Sequence, residues 1–587
     1  MHSSAFLEAL AIVLGVAAVT TILCQRLRQP IVLGYIVAGL VIGPHLPVPL
    51  VASAEVVHQL SEIGVILLMF ALGLEFSIGR LVRVGPTASV TALVQCSLML
   101  WIGFVIGRAM GWTPMESVFA GAIIAISSTT IIAKAFADQG VTGRQREIVV
   151  GILIVEDLIA VLLMAGLTAA ATGSGLSAAE LAETVGRLVG FLALLLAVGM
   201  VVVPRAIQYI RRLDNPEINV VAAMAIAFGV AFLCAELGYS IALGAFLAGS
   251  LIAESGDGEL IEHQLRPVRD MFAAVFFVSV GMAVDPALVA EHWVAVAVLC
   301  LAVVVGKIVS VALGVFLTGN GVRLSVASGM SLAQIGEFSF IIAALGLTLG
   351  VTRDFLYPVA VAVSAFTTLT TPWLIRAAPH AASLVDRVLP PPLQTVATLY
   401  GSWLERVRAG SGRRDTFGRR ARRNVALLVI DLALLVGIVI GAAVGDDYLV
   451  ERLGRELSLD DEVARVVVVA GVAVCALPFA VGVLRRALRI GWTIAHAAFP
   501  AAADGTMDLA HPPRRALVAI LRLILLLAVG LPLVALTQPF LSGVPGVVVL
   551  VAILATLAIA VWRAARNLHG HVRSGAEAVV EILAAQG

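Results

Sequence analysis

The chain has 587 residues, 60% of them hydrophobic and only 13% charged, with a mean hydropathy of +1.03. A soluble domain carries about 25% charged residues, so a purely soluble fold is excluded: it could not hide this much apolar surface. A formal net charge of +1 gives no basis for nucleic-acid binding or for an acidic partner.

A helix needs about 20 mostly apolar residues to cross a bilayer core. Scanned with that window, the chain predicts an all-α polytopic membrane protein. The opening stretch, MHSSAFLEALAIVLG, has neither a basic n-region nor a small-residue cleavage site, so it is expected to be the first spanning helix rather than a removable signal. Six spans are predicted at 5–24, 31–49, 58–78, 86–109, 115–137 and 146–171, then a linking span at 183–209. A second six follow at 218–236, 239–254, 267–284, 290–316, 323–349 and 355–378, making thirteen.

Short loops rich in Lys and Arg stay cytoplasmic. Alternate loops carry Arg26 and Arg28, Arg80 and Arg83, Lys134 with Arg144 and Arg146, Arg205 with Arg211 and Arg212, Arg266 and Arg269, and Arg323. The opposite loops hold little beyond Arg108, Arg187 and Arg353. This asymmetry predicts an N-terminus outside and the thirteenth span ending inside. Residues 381–424, with Pro390, Pro391 and Pro392 and an arginine run from Arg406 to Arg423, read as a basic cytoplasmic linker on the membrane surface. The chain therefore divides into a first membrane domain at 1–380, that linker, and a further membrane module at 425–587. Spans at 425–445, 463–484, 515–537 and 544–563 obey the same charge rule and put the C-terminus inside. The five cysteines lie in apolar stretches without paired spacing, so neither a zinc site nor a disulfide framework is predicted.

An ionisable side chain at the bilayer centre costs about 2.5–3.5 kcal/mol on insertion scales, so each one marks a functional hypothesis. In the sixth span Glu156 and Asp157 stand side by side, about eleven residues from the inner end, or ~16 Å deep. Lys307, in the eleventh, lies ~14 Å deep by the same rise. Acid and base thus reach one depth from different halves of the chain. Neighbouring helical residues point ~100° apart. One acid can therefore face a water-filled cavity while the other meets Lys307 or a helix end. A structural ion pair that sets only helix packing is the plainer reading, but such a pair is often no more stable than an apolar replacement. Desolvated acids and bases exchange protons near neutral pH and can trade a proton for a cation.

The fifth span places Ser127, Ser128, Thr129 and Thr130 in succession near mid-membrane, where their hydroxyls compete with the helical ladder and favour a break. In the twelfth, Gln334 and Glu337 stand three apart on one helical face with Gly336 between them, and it too reads as interrupted. Paired interrupted helices at corresponding positions of two repeats point to a transporter site. Close packing through small polar residues is the alternative for the Ser/Thr run, and Glu337 could instead tie its helix to a neighbour. The Gly/Ala-rich stretch LGAFLAGSLIA reads as close helix packing.

These phrases, with LMFALGLEF at 68–76, VED at 155–157, GAFLAGSLIAES at 244–255, VFFVSVGMAVD at 275–285 and LAQIGEFSF at 332–340, resemble the Kef-type monovalent cation:proton antiporters of the sodium/proton exchanger superfamily. The resemblance covers residues 1 to about 378. It implies a 13-helix inverted-repeat fold with two crossed discontinuous helices, a homodimer in the bacterial plasma (inner) membrane, and elevator-type exchange of K⁺ or Na⁺ for H⁺, without an enzymatic step or cofactor. By position it makes Asp157 the principal carboxylate for the monovalent cation and proton. Glu156 fills the preceding position, Lys307 looks like the basic residue of the opposing helix, and Thr129 and Thr130 fall in the first crossed break; the residue pattern itself adds Ser128 to the ion-binding candidates and Gln334 and Glu337 as supporting polar groups. Family members usually carry Gln, Asn or Asp where Glu156 stands here. After residue 380 there is no strand followed by G-x-G-x-x-G, so no nucleotide-binding regulatory domain is expected. A cation channel lined by Glu156 and Asp157, and a membrane sensor or enzyme acting through the C-terminal module, are the competing readings. The first lacks a filter-like repeated loop, and the second lacks any H-E-x-x-H, G-x-S-x-G or P-loop.

Overall fold

A computed structural model of the chain describes residues 2–45 except 28, then 54–75, 78–173, 178–213, 215–237, 241–391, 394, 415–444, 446–457 and 460–498, with isolated short stretches beyond. Some side chains inside those ranges, Thr130 among them, lie outside the description. Every regular element among the described residues is helical: α1 His2–Arg26, α2 Ile31–Ile42, α3 Ala54–Glu75, α4 Ile78–Ala109, α5 Pro114–Ala125, α6 Thr129–Gln139, α7 Gly143–Gly173 and α8 Ala178–Arg211. There follow α9 Pro216–Glu236, α10 Ile241–Ala253, α11 Gly258–Met282, α12 Pro286–Glu291, α13 Trp293–Leu317, α14 Val322–Ser331, α15 Glu337–Thr348 and α16 Leu356–Val388. Next comes α17 Asp415–Val444, which begins inside the arginine run and takes up the last part of the expected linker, then α18 Asp446–Leu457 and α19 Asp461–Ala498.

Local chemistry fixes several starts. Thr113 caps α5 through a reciprocal pair of bonds with Glu116, with Pro114 at the first helical position, where a missing N–H costs nothing. Asn215 before Pro216 and Asp285 before Pro286 cap α9 and α12 in one direction only, each side chain accepting from the N–H two residues on. Seven helices among the described residues are long and apolar enough to cross a membrane, and α2, α5, α10 and α15 are shorter apolar segments.

The helices sort into two bundles by what they touch. In the first, α1 lies on α2, α2 on α11, α3 on α10 and α11, and α9 on α10; in the second, α4 packs on α5, α7 and α13, α13 on α14 and α16, and α15 on α5. Helix α8 touches α7, α9 and α10 and so connects them. Each bundle draws helices from both halves of the chain. At the α3–α10 crossing a Cβ on Gly73 would sit 2.2 Å from the Phe246 carbonyl oxygen, and one on Gly249 2.1 Å from that of Phe70. Only glycine permits so close a crossing, which accounts for the LAGS stretch as packing.

Helix α16 runs on to Val388, into the stretch expected as linker. Buried Ala382 and an Arg323–Asp386 ion pair of 3.1 Å hold its last turns. Helices α17 and α19 pack together, with Asp431 and Arg486 paired at 3.0 Å between them. The spans expected at 515–537 and 544–563 fall mostly outside the described residues; Leu531, which is described, packs on Val94, Leu98 and Trp101 of α4.

Candidate functional site

Two spans expected as interrupted are indeed broken, and the breaks meet. Helix α5 stops at Ala125, residues 126–128 are non-helical, and α6 begins at Thr129; α14 stops at Ser331 and α15 begins at Glu337. A Cβ on Gly336 would lie 2.5 Å from Ser128 Cα, so the two segments touch backbone to backbone and no other residue fits without parting them. Across this contact the Ser128 N–H donates to Gln334 Oε1 at 3.2 Å, and Gln334 Nε2 donates back to the Ser128 carbonyl at 3.1 Å. Ser128 Oγ donates to Glu337 Oε2 at 2.7 Å.

Breaking a helix in a membrane frees backbone groups that must find partners in the protein. Gln95 Nε2 donates to the Ala125 carbonyl at 2.7 Å, Ser339 Oγ to that of Ile123 at 2.6 Å, and Ser364 Oγ to that of Ile335 at 3.1 Å. These three side chains hold the breaks open in a fixed shape. The chain reading did not include them among the site residues. Their signal was available in Gln95, a lone amide inside the apolar run TALVQCSLML; Ser339 and Ser364 carry no such mark, since a serine satisfied by its own helix is common in a span.

The two acids of α7 face different parts of this junction. Glu156 is fully buried; its Oε2 accepts the Ser127 N–H at 2.8 Å, while its Oε1 is buried with no hydrogen-bond partner. Asp157, 5% exposed, accepts a hydrogen bond of 3.1 Å from Thr129 Oγ1 at the start of α6. Lys307, 0% exposed, reaches in from α13 and donates to Ser127 Oγ at 2.7 Å. The base is therefore linked to Glu156 through Ser127, whose amide serves the acid and whose hydroxyl serves the amine. Ser127 was read only as part of the hydroxyl run, and its bridging role is a feature of the fold. Helix termini complement these charges: α6 starts beside Asp157 and offers its positive end, and the Lys307 amine lies beside the negative C-terminus of α5.

All the candidates whose side chains are described converge here: Glu156, Asp157, Ser128, Thr129, Gln334, Glu337 and Lys307 share the junction. Two placements differ from expectation. Thr129 and Thr130 open α6 rather than lying in the break, and Gln334 lies within the second break, so it meets Ser128 through irregular backbone rather than as the partner of Glu337 on one helical face. The Thr130 side chain lies outside the described residues.

A junction of broken helices carrying buried acids and a buried base, inside the second of the two bundles, is the kind of arrangement that an ion-transport protein needs. The transmembrane sodium/hydrogen exchanger model matches residues 13–376, and the chain belongs to that family, as a member of its Kef-type cation:proton antiporter branch. It is 34% identical over 357 residues to the putative cation/proton antiporter YbaL of Escherichia coli (strain K12), covering 59% of this chain and 64% of that protein. It therefore spans less than two thirds of that relative. It is 31% identical to K(+) efflux antiporter 5 of Arabidopsis thaliana over 64% of this chain and 67% of that one, and 30% identical to the Na(+)/H(+)-K(+) antiporter GerN of Bacillus cereus over 60% and 91%. The solved structure of the sodium proton antiporter MjNhaP1 from Methanocaldococcus jannaschii aligns with a TM-score of 0.51 at 16% identity, covering 65% of this chain and 98% of that one. The likeness is one of fold. Family and structural neighbours are transporters, not enzymes.

Proposed function

We propose that residues 1–380 exchange a small monovalent cation, K⁺ or Na⁺, for protons by alternating access, with Asp157 as the carboxylate that the two ions share. The observation that carries this reading is the placement of Asp157 on Thr129 at the mouth of α6, one residue from a buried acid and across the junction from Lys307. When Asp157 is ionised, the Thr129 hydroxyl can turn its oxygen lone pairs, rather than its proton, toward a bound cation. Protonation of Asp157 removes the charge that holds the ion and releases it. Either loaded form crosses, while the empty charged form is held back by the cost of moving an uncompensated carboxylate through a low-dielectric passage. Lys307 neutralises Glu156 through Ser127 in this state and frees it in the other, leaving Glu156 as a second proton carrier.

The two bundles favour an elevator in which α4–α7 and α13–α16 move against α1–α3 and α9–α11, the thirteen spans forming inverted repeats and the chain pairing as a homodimer. The charge asymmetry of the loops supports an outside N-terminus and a cytoplasmic C-terminus in a bacterial plasma membrane. The relatives' printed substrates, K⁺ for one and both Na⁺ and K⁺ for another, support these ions here. In proteoliposomes carrying an inward pH gradient, addition of K⁺ or Na⁺ is expected to dequench a pH-sensitive dye with the wild-type chain and not with Asp157→Asn. Dequenching by the variant at the wild-type rate would refute the reading.

A further inference from the structure

A cleft of about 740 Å³ lies between the two bundles, away from the acids, walled by α2 on one side and by α12, α13 and α16 on the other. Its lining includes Val37, Trp293, Ala297, Cys300, Ala365 and Phe366. Val37, Trp293 and Phe366 keep 38%, 65% and 56% of their surface exposed, so the cleft opens sideways, and it opens at the level of membrane-spanning helices. The hydroxyls of Thr367 and Thr370 on its wall are occupied, donating to the Val363 carbonyl at 2.8 Å and to the Thr367 carbonyl at 2.9 Å. Water needs two to four polar partners to stay in such a space and finds none in these walls.

The length of the cleft selects the occupant. From Trp293 at its end to Val304 at its depth the α13 wall runs ~16 Å, against ~15 Å for one leaflet of a ~30 Å hydrocarbon core. Trp293 marks the end at which a headgroup would sit, as indoles favour the interface. His45 and Asp285, 3.7 Å apart, adjoin the lining residues Val284 and Pro286 at that same end. We propose that the cleft is a lipid site that takes one acyl chain of a phospholipid from the leaflet on the Trp293 side, with its headgroup at His45 and Asp285. The chain would lie between the bundles against the back of α13, which carries Lys307, and of α16, which carries Ser364. Its effect on exchange rests on the proposed function, whereas its occupancy does not.

The test uses the full chain in vesicles containing phosphatidylglycerol with a diazirine midway along one acyl chain, followed by irradiation and peptide mapping. Adducts are expected at Ala297, Cys300 and Ala365 in excess of those at Val221, a position on the outer surface of α9 that is 68% exposed. Ala365→Phe, which fills the cleft, is expected to remove them and to leave the Val221 adducts unchanged. Ala297→Leu fills it from the opposite wall and gives the same readout should the first variant not fold. Labelling in the cleft no greater than at Val221, or labelling indifferent to both substitutions, overturns the proposal. So does efficient disulfide formation between two copies through Cys300, which would seat a second chain there. Failure of these outcomes leaves the Asp157 experiment untouched.

Discussion

Glu156 presents the sharpest question at the scale of single residues, because one of its oxygens is bonded and the other is buried without a partner. A buried charge is tolerable only with compensation, and the nearest compensating charge is Lys307, reached through Ser127. Lys307→Met is therefore expected to destabilise the protein by about 3–5 kcal/mol, the typical cost of stripping one partner from a buried charged pair. The double variant Glu156→Gln with Lys307→Met is expected to recover most of that loss. Thermal unfolding in detergent, read as a double-mutant cycle, measures it; strict additivity of the two substitutions would dissociate the pair. The depth of these residues was legible in the sequence, because an ionisable group in a long apolar run can be counted from the helix end. Which acid faces the base was not. Successive side chains diverge by ~100°, and only the packing of α7 against the first break decides that Glu156 turns to Ser127 and Asp157 to Thr129.

At the scale of elements, both breaks could be anticipated from composition. Their contact could not, since Ser128 and Gln334 lie 206 positions apart. Gly336 is where this contact is enforced: with a Cβ only 2.5 Å from Ser128 Cα and Cβ, Gly336→Val must part the two backbones. Overpacking of this kind costs about 1–3 kcal/mol, and the variant is expected to melt earlier and to lose cation-dependent dequenching. A full exchange rate with Gly336→Val would mean that the junction does not need this contact. A second tie lies at the far end of α5. There Glu116 closes the capping box and also accepts from Arg353, at 2.6 Å from Nε and 2.8 Å from Nη2, and from the Arg353 N–H at 3.2 Å. The first half of one broken helix is thereby fastened to the loop after the second half of the other. Glu116→Ala removes the clamp and the Glu116 half of the capping box, and leaves the Thr113 hydroxyl on the backbone N–H of residue 116. Hydrogen exchange is expected to rise in the first turn of α5 and in the loop at 350–355 together; a rise confined to α5 would show that the clamp carries no load.

For the molecule as a whole, hydropathy was enough to anticipate an all-helical fold among the described residues, because a membrane leaves the backbone few alternatives. The division into two bundles needed three dimensions, since each bundle interleaves helices from both halves of the chain. Helix α16 continues past the span end at residue 378 and through Pro379 into the stretch expected as linker, held by buried Ala382 and the Arg323–Asp386 pair. A chain cut after residue 394, beyond that helix, is expected to retain exchange at the wild-type rate in proteoliposomes, and loss of exchange in a folded, monodisperse truncation would assign the C-terminal module a part in transport.

The central claim is that a proton and a cation occupy Asp157 by turns, and equilibrium binding tests it without reference to any transport cycle. In detergent-solubilised protein titrated calorimetrically with K⁺ or Na⁺, competition for one carboxylate predicts an apparent Kd that rises about tenfold per pH unit on the acid side of its titration and binding that vanishes in Asp157→Asn. A Kd independent of pH across the working range, or undiminished binding in Asp157→Asn, would contradict the account.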